Sequence, residues 1–223
     1  QAVRGARERC QLKMDAVAFT AERLDKLREW QCREFPRVKI GEGKYGTVYR
    51  GPSGMGVLKE SVTAKAHTGK CRQALREHAI SLLQTLLVVE GCSPHLTLHY
   101  GADLSAAGPH FLGRMFMEDF SGSLADLGQH VLLTPAHWQV LLFQVLSPMV
   151  ALSTVFGIAH NDLYPRNILV RQQEVSMVSY QIGQQLYVMD WPFFVAVTDF
   201  GIASARDLFG TDGTAPEVAH GIE

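Results

Sequence analysis

From Val131 to Ala159 the chain carries no Asp, Glu, Lys or Arg. A stretch so long and so apolar has two homes. One is a lipid bilayer, which a helix of about 20 apolar residues can cross; the other is the inside of a large globular fold. His137, Gln139, Gln144, Ser147 and Pro148 interrupt the run, and no basic flank anchors it. It therefore reads as a long buried helix, and no membrane is expected as a partner. The chain has the material to bury such a helix: 47% of its 223 residues are hydrophobic, enough for one large or two small packed units.

Charge narrows the partners further. Lys plus Arg number 21 against 22 Asp plus Glu, so no global field favours nucleic acid or an anionic surface. Cys10, Cys32, Cys71 and Cys92 are scattered, with no CxxC and no His/Cys cluster at metal spacing. They read as reduced thiols of an intracellular protein, cytoplasmic or nuclear. No leader pattern is visible at the start, which is charged and lacks Met, as in a trimmed chain.

Periodicity divides the sequence. Residues 1–35 read as an amphipathic helical extension, with Val17, Leu24, Leu27 and Trp30 among charges. From Val38, "VKIGEGKYGTVYRGPSGMGVLKESV" alternates short apolar runs with glycines, as antiparallel strands with tight turns do. Leu75, Ala79, Leu82, Leu83 and Leu86 then recur at helical spacing in a helix ending near Gly91. "HLTLHYGADL" and "PHFLGRMFMEDF" read as two more strands, "SGSLADLGQHV" as a polar turn and helix, and the uncharged helix follows. "NILVRQ" and "FFVAVTDFG" are late strands on either side of a polar insert. The expected fold class is α+β with two lobes: sheet-rich over about 36–118 and helical over about 122–223.

Several short patterns bear on chemistry. "GEGKYGTV" sets Gly41, Gly43 and Gly46 between two predicted strands. Glycines let backbone N–H groups approach phosphate oxygens, although a plain glycine-rich hairpin explains the triplet equally well. A strand rather than a helix follows, which excludes the dinucleotide-binding version of the pattern. Lys59 ends the strand "GVLK", where a lysine is usually just solvated, and Glu77 sits centrally in the next helix, unlike Glu60 and Glu90. "HNDLYPRN", His160 to Asn167, places an acid five residues before an amide, and "DFG" at Asp199 closes an apolar strand. Phosphoryl transfer needs such a set: an acid and an amide oxygen for Mg²⁺, and a separate acid, Asp162, to take the proton of the attacking hydroxyl. "APE" follows at Ala215 to Glu217.

Taken in order, GxGxxGxV, strand Lys, helix Glu, HxDxxxxN, DFG and APE make the chain resemble the eukaryotic-type protein kinases from about Phe35 to Glu217, with 36–223 as the kinase domain. The resemblance implies ATP in a cleft between the lobes, beneath the glycine loop and Val48. It implies Lys59 on the α- and β-phosphates, oriented by Glu77, with Asp162 as catalytic base and Asn167 and Asp199 on Mg²⁺. "MFMEDFSGSL" becomes the connecting hinge, with Met117 at the back of the adenine pocket and Glu118 and Phe120 offering backbone hydrogen bonds. Val57 and Leu169 join Val48 in sandwiching the ring. Asp126 or Ser123 is a ribose contact, unless each simply belongs to a solvated helix start.

The sequence departs from that family in four places. Asn161 replaces the arginine that grips a phosphate on the activation segment, so little dependence on phosphorylation of Ser204, Thr211 or Thr214 is expected. Tyr164 replaces the lysine that contacts the transferred phosphate in Ser/Thr kinases, and Arg166 stands where many tyrosine kinases place an arginine for that purpose. Pro165 and the "GT" of "GTDGTAPE" still lean towards Ser/Thr specificity. The stretch between Asn167 and Asp199 is long and reads as an added hairpin, a texture similar to kinases of large DNA viruses and haspin-like kinases. Little sequence follows Glu217, as in a reduced or truncated helical lobe.

Three activities compete. The first is an ATP- and Mg²⁺-dependent kinase acting on protein Ser/Thr hydroxyls, with a tyrosine or dual-specificity variant beside it. The second is a pseudokinase scaffold, favoured by Asn161, Tyr164 and the short C-terminal lobe. The third is a small-molecule phosphotransferase, which shares the acid-to-amide spacing but seldom the glycine triplet with DFG and APE.

Overall fold

The computed structural model describes residues 37–43, 46–51, 56–64, 68–172, 177–182, 184–190 and 193–205. The proposed N-terminal helix, the tip of the glycine loop, Thr211, Thr214 and the APE triplet lie outside the described residues.

The fold is α+β. Alternating apolar residues separated by glycines give five antiparallel strands, β1 (Val38–Gly43), β2 (Gly46–Arg50), β3 (Val57–Ala64), β4 (His99–Ala107) and β5 (His110–Met117), in the spatial order β1-β2-β3-β5-β4. Helix α1 (Thr68–Val89) connects β3 to β4. It ends at Gly91, whose φ of 69° lets the chain turn back, and Cys92 N–H donates to the Leu87 carbonyl at 2.8 Å. The Thr85 hydroxyl accepts from His99 N–H at 2.7 Å and donates to His99 O at 3.1 Å. This side chain ties α1 to the start of β4.

Residues 118–121 lead into β6 (Gly122–Ser123), α2 (Leu124–His130) and α3 (Pro135–Phe156). The uncharged stretch forms α3 within narrower limits than the composition suggests, because its ends are set by caps. Thr134 and His137 form a reciprocal capping box, Pro135 opens the first turn, and Gly157 at φ 63° closes the last. Pro148 does not break the helix, although an internal proline removes one backbone bond. It is buried with Leu141, Gln144, Val145, Ala151, Leu152 and Phe156. That packing offsets the lost bond. α3 is long and apolar enough to cross a membrane, yet in this fold it buries one side in the protein core and leaves Trp138, Leu142, Leu146 and Val150 exposed.

After α3 come β7 (Ile158–Ala159), a 3₁₀ turn (Pro165–Asn167), β8 (Ile168–Gln172), β9 (Met177–Ile182), β10 (Gln185–Asp190), β11 (Phe193–Val197) and β12 (Ser204–Ala205). The polar insert is a hairpin, β9 paired with β10, and β11-β8-β6 form a three-stranded sheet. Among the described residues this second part holds only two helices and is richer in short strands than the periodicity suggests. One apolar core joins both parts: Ile80 and Leu87 of α1, Leu96 and Leu98 before β4, Leu141 and Leu152 of α3, and Val195 and Val197 of β11. The segment before β4 stitches them together, with Thr97 N–H on the Val197 carbonyl and Val197 N–H on the His95 carbonyl.

Candidate functional site

The site lies where those parts meet. β3 presents Lys59 and α1 presents Glu77, and their side chains pair at 2.6 Å. Asp199, at the end of the β11 segment, brings Oδ1 to 3.3 Å from the same ammonium. Burial drives Lys59 towards neutrality, but the carboxylates of Glu77 and Asp199 outweigh it and hold its pKa above the ordinary value. Asp199 has a φ of 63°, left-handed backbone that costs a non-glycine residue about 1 kcal/mol and that Asp tolerates better than most. Glu60 instead meets Arg37 and Arg114 on the sheet surface.

A second cluster lies on the loop from His160 to Asn167. His160 Nε2 is 2.9 Å from the Thr198 carbonyl and Nδ1 accepts the Asp162 N–H at 3.2 Å. A carbonyl can only accept, so the proton is on Nε2 and the imidazole is neutral. Burial pushes the His160 pKa down, in the same sense. Asn167 is buried in the 3₁₀ turn, and its Nδ2 donates to Asp162 O at 2.8 Å and to Asp162 Oδ2 at 3.0 Å. Because the NH₂ is spent there, the amide oxygen is the atom left for a ligand. Arg166 Nη2 lies 3.6 Å from Asp162 Oδ2, and its guanidinium covers the Tyr164 ring at 5.1 Å.

A cavity of about 520 Å³ connects these clusters. Gly41, Val48 and Val57 line its sheet side, Leu169 the opposite side, and Met117, Glu118 and Phe120 its rear edge. Lys59, Glu77, Arg166, Asn167 and Asp199 reach into it. Asp162 is not in its wall and joins through Asn167. Gly43 ends β1 opposite Gly46. Gly46 has a packing reason to be glycine: its φ is 144°, and a Cβ there would fall 2.2 Å from the Glu60 carbonyl oxygen. Ser123 and Asp126 form the capping box of α2, as a helix start requires, and both also line the cavity, where a ribose contact was expected.

Two features escaped sequence reasoning. Arginines hold the rear segment from both sides: Arg171 donates to Glu118 Oε1 at 2.7 Å and to the Asp119 carbonyl, while Arg50 bonds Asp119 Oδ1 at 3.0 Å and the Phe120 carbonyl at 2.9 Å. The inner end of the cavity is polar, lined by Ser81, Gln84, Thr97 and His99. Burial, with His78 and Lys59 nearby, pushes the His99 pKa down to about 3, so its ring is neutral. The signal for this lining was present in the spacing of Glu77, Ser81 and Gln84, which puts a polar stripe on one face of α1.

No protein-family model matches this chain, and no curated protein compared with it is significantly similar in sequence.

Proposed function

We propose that the chain is a two-lobed, ATP-dependent protein kinase that transfers the γ-phosphate to protein Ser/Thr hydroxyls. The observation that carries this reading is the double contact of Lys59 with Glu77 and Asp199 in the cavity that also holds Asn167. A buried ammonium flanked by two carboxylates is oriented before substrate arrives, and polyphosphate oxygens replace Asp199 as its partner at little reorganisation cost. Val48, Val57 and Leu169 give the cavity an apolar lining suited to an adenine ring, and Glu118 and Phe120 belong to the same lining.

Asp162 takes the proton of the attacking hydroxyl as that oxygen bonds the γ-phosphorus and the bridging bond to ADP breaks. Its backbone is held by His160 and its Oδ2 by Asn167, which aims the carboxylate. Arg166 is close enough to Asp162 to meet the transferred phosphoryl group, in place of the family's lysine. Asp199 and the Asn167 amide oxygen are hard donors suited to Mg²⁺, which when bound neutralises charge on the phosphate oxygens. Among the described residues no cluster of three or more His, Cys, Asp or Glu forms a self-sufficient metal site. The metal is therefore expected to bind with the nucleotide, whose oxygens complete the shell. An ATP-dependent role fits an intracellular location.

The test is incorporation of labelled phosphate into a mixed-protein extract, followed by phospho-amino-acid analysis, with Asp199→Ala in parallel. Phosphoserine and phosphothreonine that vanish in the variant support the reading. Nucleotide binding without turnover in the unmodified chain would point to a scaffold, and phosphorylation of small alcohols alone to a small-molecule phosphotransferase.

A further inference from the structure

Asp199 sits at the head of a segment with little secondary structure of its own, yet its left-handed backbone has to be held in place. Phe200 is buried and packs on His160 with ring centroids 4.3 Å apart. The Gln73 side chain, one turn before Glu77 on α1, donates to the Gly201 carbonyl at 2.8 Å. Asn161 Nδ2 donates to the Ile202 carbonyl at 3.2 Å and to Ser204 Oγ at 3.1 Å. β12 then pairs with β7, Ser204 opposite Ala159 and Ala205 opposite Ile158. Among the described residues no Lys or Arg side chain bonds Asn161 or Ser204.

Every one of these contacts is neutral. Hydrogen bonds between uncharged groups need no added charge to form and are little affected by salt. Asn161 itself has a φ of 63°, and asparagine is among the few non-glycine residues that accept this conformation readily. The residue type thus suits both the backbone bend and the two donated bonds. Gln73 and Glu77 share a face of α1, so the helix that orients Lys59 also grips the segment that carries Asp199.

We propose that Gln73 and Asn161 are positioning residues that together form a neutral clamp on Gly201–Ser204. The clamp fixes Asp199 beside Lys59 in the unphosphorylated chain. This rests on the kinase reading and adds its regulation: the segment is assembled constitutively, and a phosphoryl group on Ser204 would disturb the clamp instead of completing it.

Three full-length variants test the clamp. Asn161→Gly keeps the left-handed backbone and deletes both bonds. Asn161→Asp keeps the shape but turns an acceptor towards the Ile202 carbonyl. Gln73→Met keeps the length and deletes the donor. Amide hydrogen exchange over 199–205, measured without nucleotide, should quicken about ten-fold in each, the change expected for losing one or two net hydrogen bonds. Exchange in α3 should stay unchanged, which shows that the protein remains folded. In turnover assays kcat should fall about ten-fold and half-saturating Mg²⁺ should rise, with metal-free nucleotide affinity unchanged. An active parent whose variants exchange and turn over like the parent overturns the clamp alone. Faster exchange in the variants of an inert parent overturns the kinase reading and the positioning role with it.

Discussion

The Tyr180 hydroxyl lies 2.6 Å from His95 Nε2, and the other ring nitrogen of that histidine lies 2.7 Å from the Val195 carbonyl. The carbonyl requires the proton on Nδ1, so Nε2 accepts from the phenol. Tyr180 is fully buried, and burial pushes its pKa upward and keeps the hydroxyl protonated as a donor. The inserted hairpin is therefore latched to the core between the two parts of the fold. Tyr180→Phe removes the donor and leaves a buried lone pair, at a cost of about 1–3 kcal/mol. Urea denaturation should show a lower midpoint with an unchanged slope.

His99 makes acid stability a second measurable. Its pKa is 6.5 as an unperturbed histidine and about 3 in the fold. Above 6.5 both folded and unfolded forms are neutral, and its contribution to stability is fully present. As pH falls through this window only the unfolded chain takes the proton, so stability is lost at up to about 1.4 kcal/mol per pH unit from this one group. Among the described residues neither ring nitrogen has a hydrogen-bond partner, so His99→Leu should raise the melting temperature at neutral pH and flatten the loss between pH 6 and 4. Melting curves across that range are the check.

The pairing of Lys59 with Glu77 was implied by the kinase resemblance, and the choice of Glu77 over Glu60 and Glu90 by its central place in a helix with a clear period. The hairpin of β9 and β10 was legible because its two strands are adjacent in sequence. Contacts made by tertiary folding were not. Nothing local marks Arg171 as a partner of Glu118, or Tyr180 as a partner of His95, because the chain between them sets no geometry. The limits of α3 were blurred because composition is uniform across the run, while the caps Thr134 and Gly157 are single residues. Gly41 and Gly46 looked alike in the motif and differ only once β3 is placed beside β2.

That difference gives a third prediction. A Cβ at Gly41 meets nothing within 4 Å, whereas at Gly46 it meets the Glu60 carbonyl at 2.2 Å in a φ region that L residues avoid. Gly41→Ala should leave stability within about 0.5 kcal/mol of the parent. Gly46→Ala should cost about 1–3 kcal/mol, because β2 must move away from β3. Thermal unfolding of the two variants side by side separates a packing requirement at Gly46 from a shared loop requirement.

The arginines behind the cavity give the last. Glu118 is 4% exposed, so its carboxylate depends on being met by charge or hydrogen bonds, and Arg171 meets it at 2.7 Å. The same guanidinium bonds the Asp119 carbonyl and stacks on the Phe120 ring at 4.5 Å, so it orders three consecutive residues of the connecting segment. Arg171→Met keeps much of the aliphatic bulk but removes the positive charge beside the buried Glu118 carboxylate, which keeps the Leu98 N–H at 3.3 Å; the expected cost is about 3 kcal/mol. Adding Glu118→Gln removes the buried negative charge and should recover more than half of that loss. A purely steric role for Arg171 predicts no recovery. Chemical denaturation of the two single variants and the double variant gives the coupling directly. If the connecting segment carries the adenine contacts, nucleotide affinity should follow the same order, lowest in Arg171→Met and partly restored in the double variant.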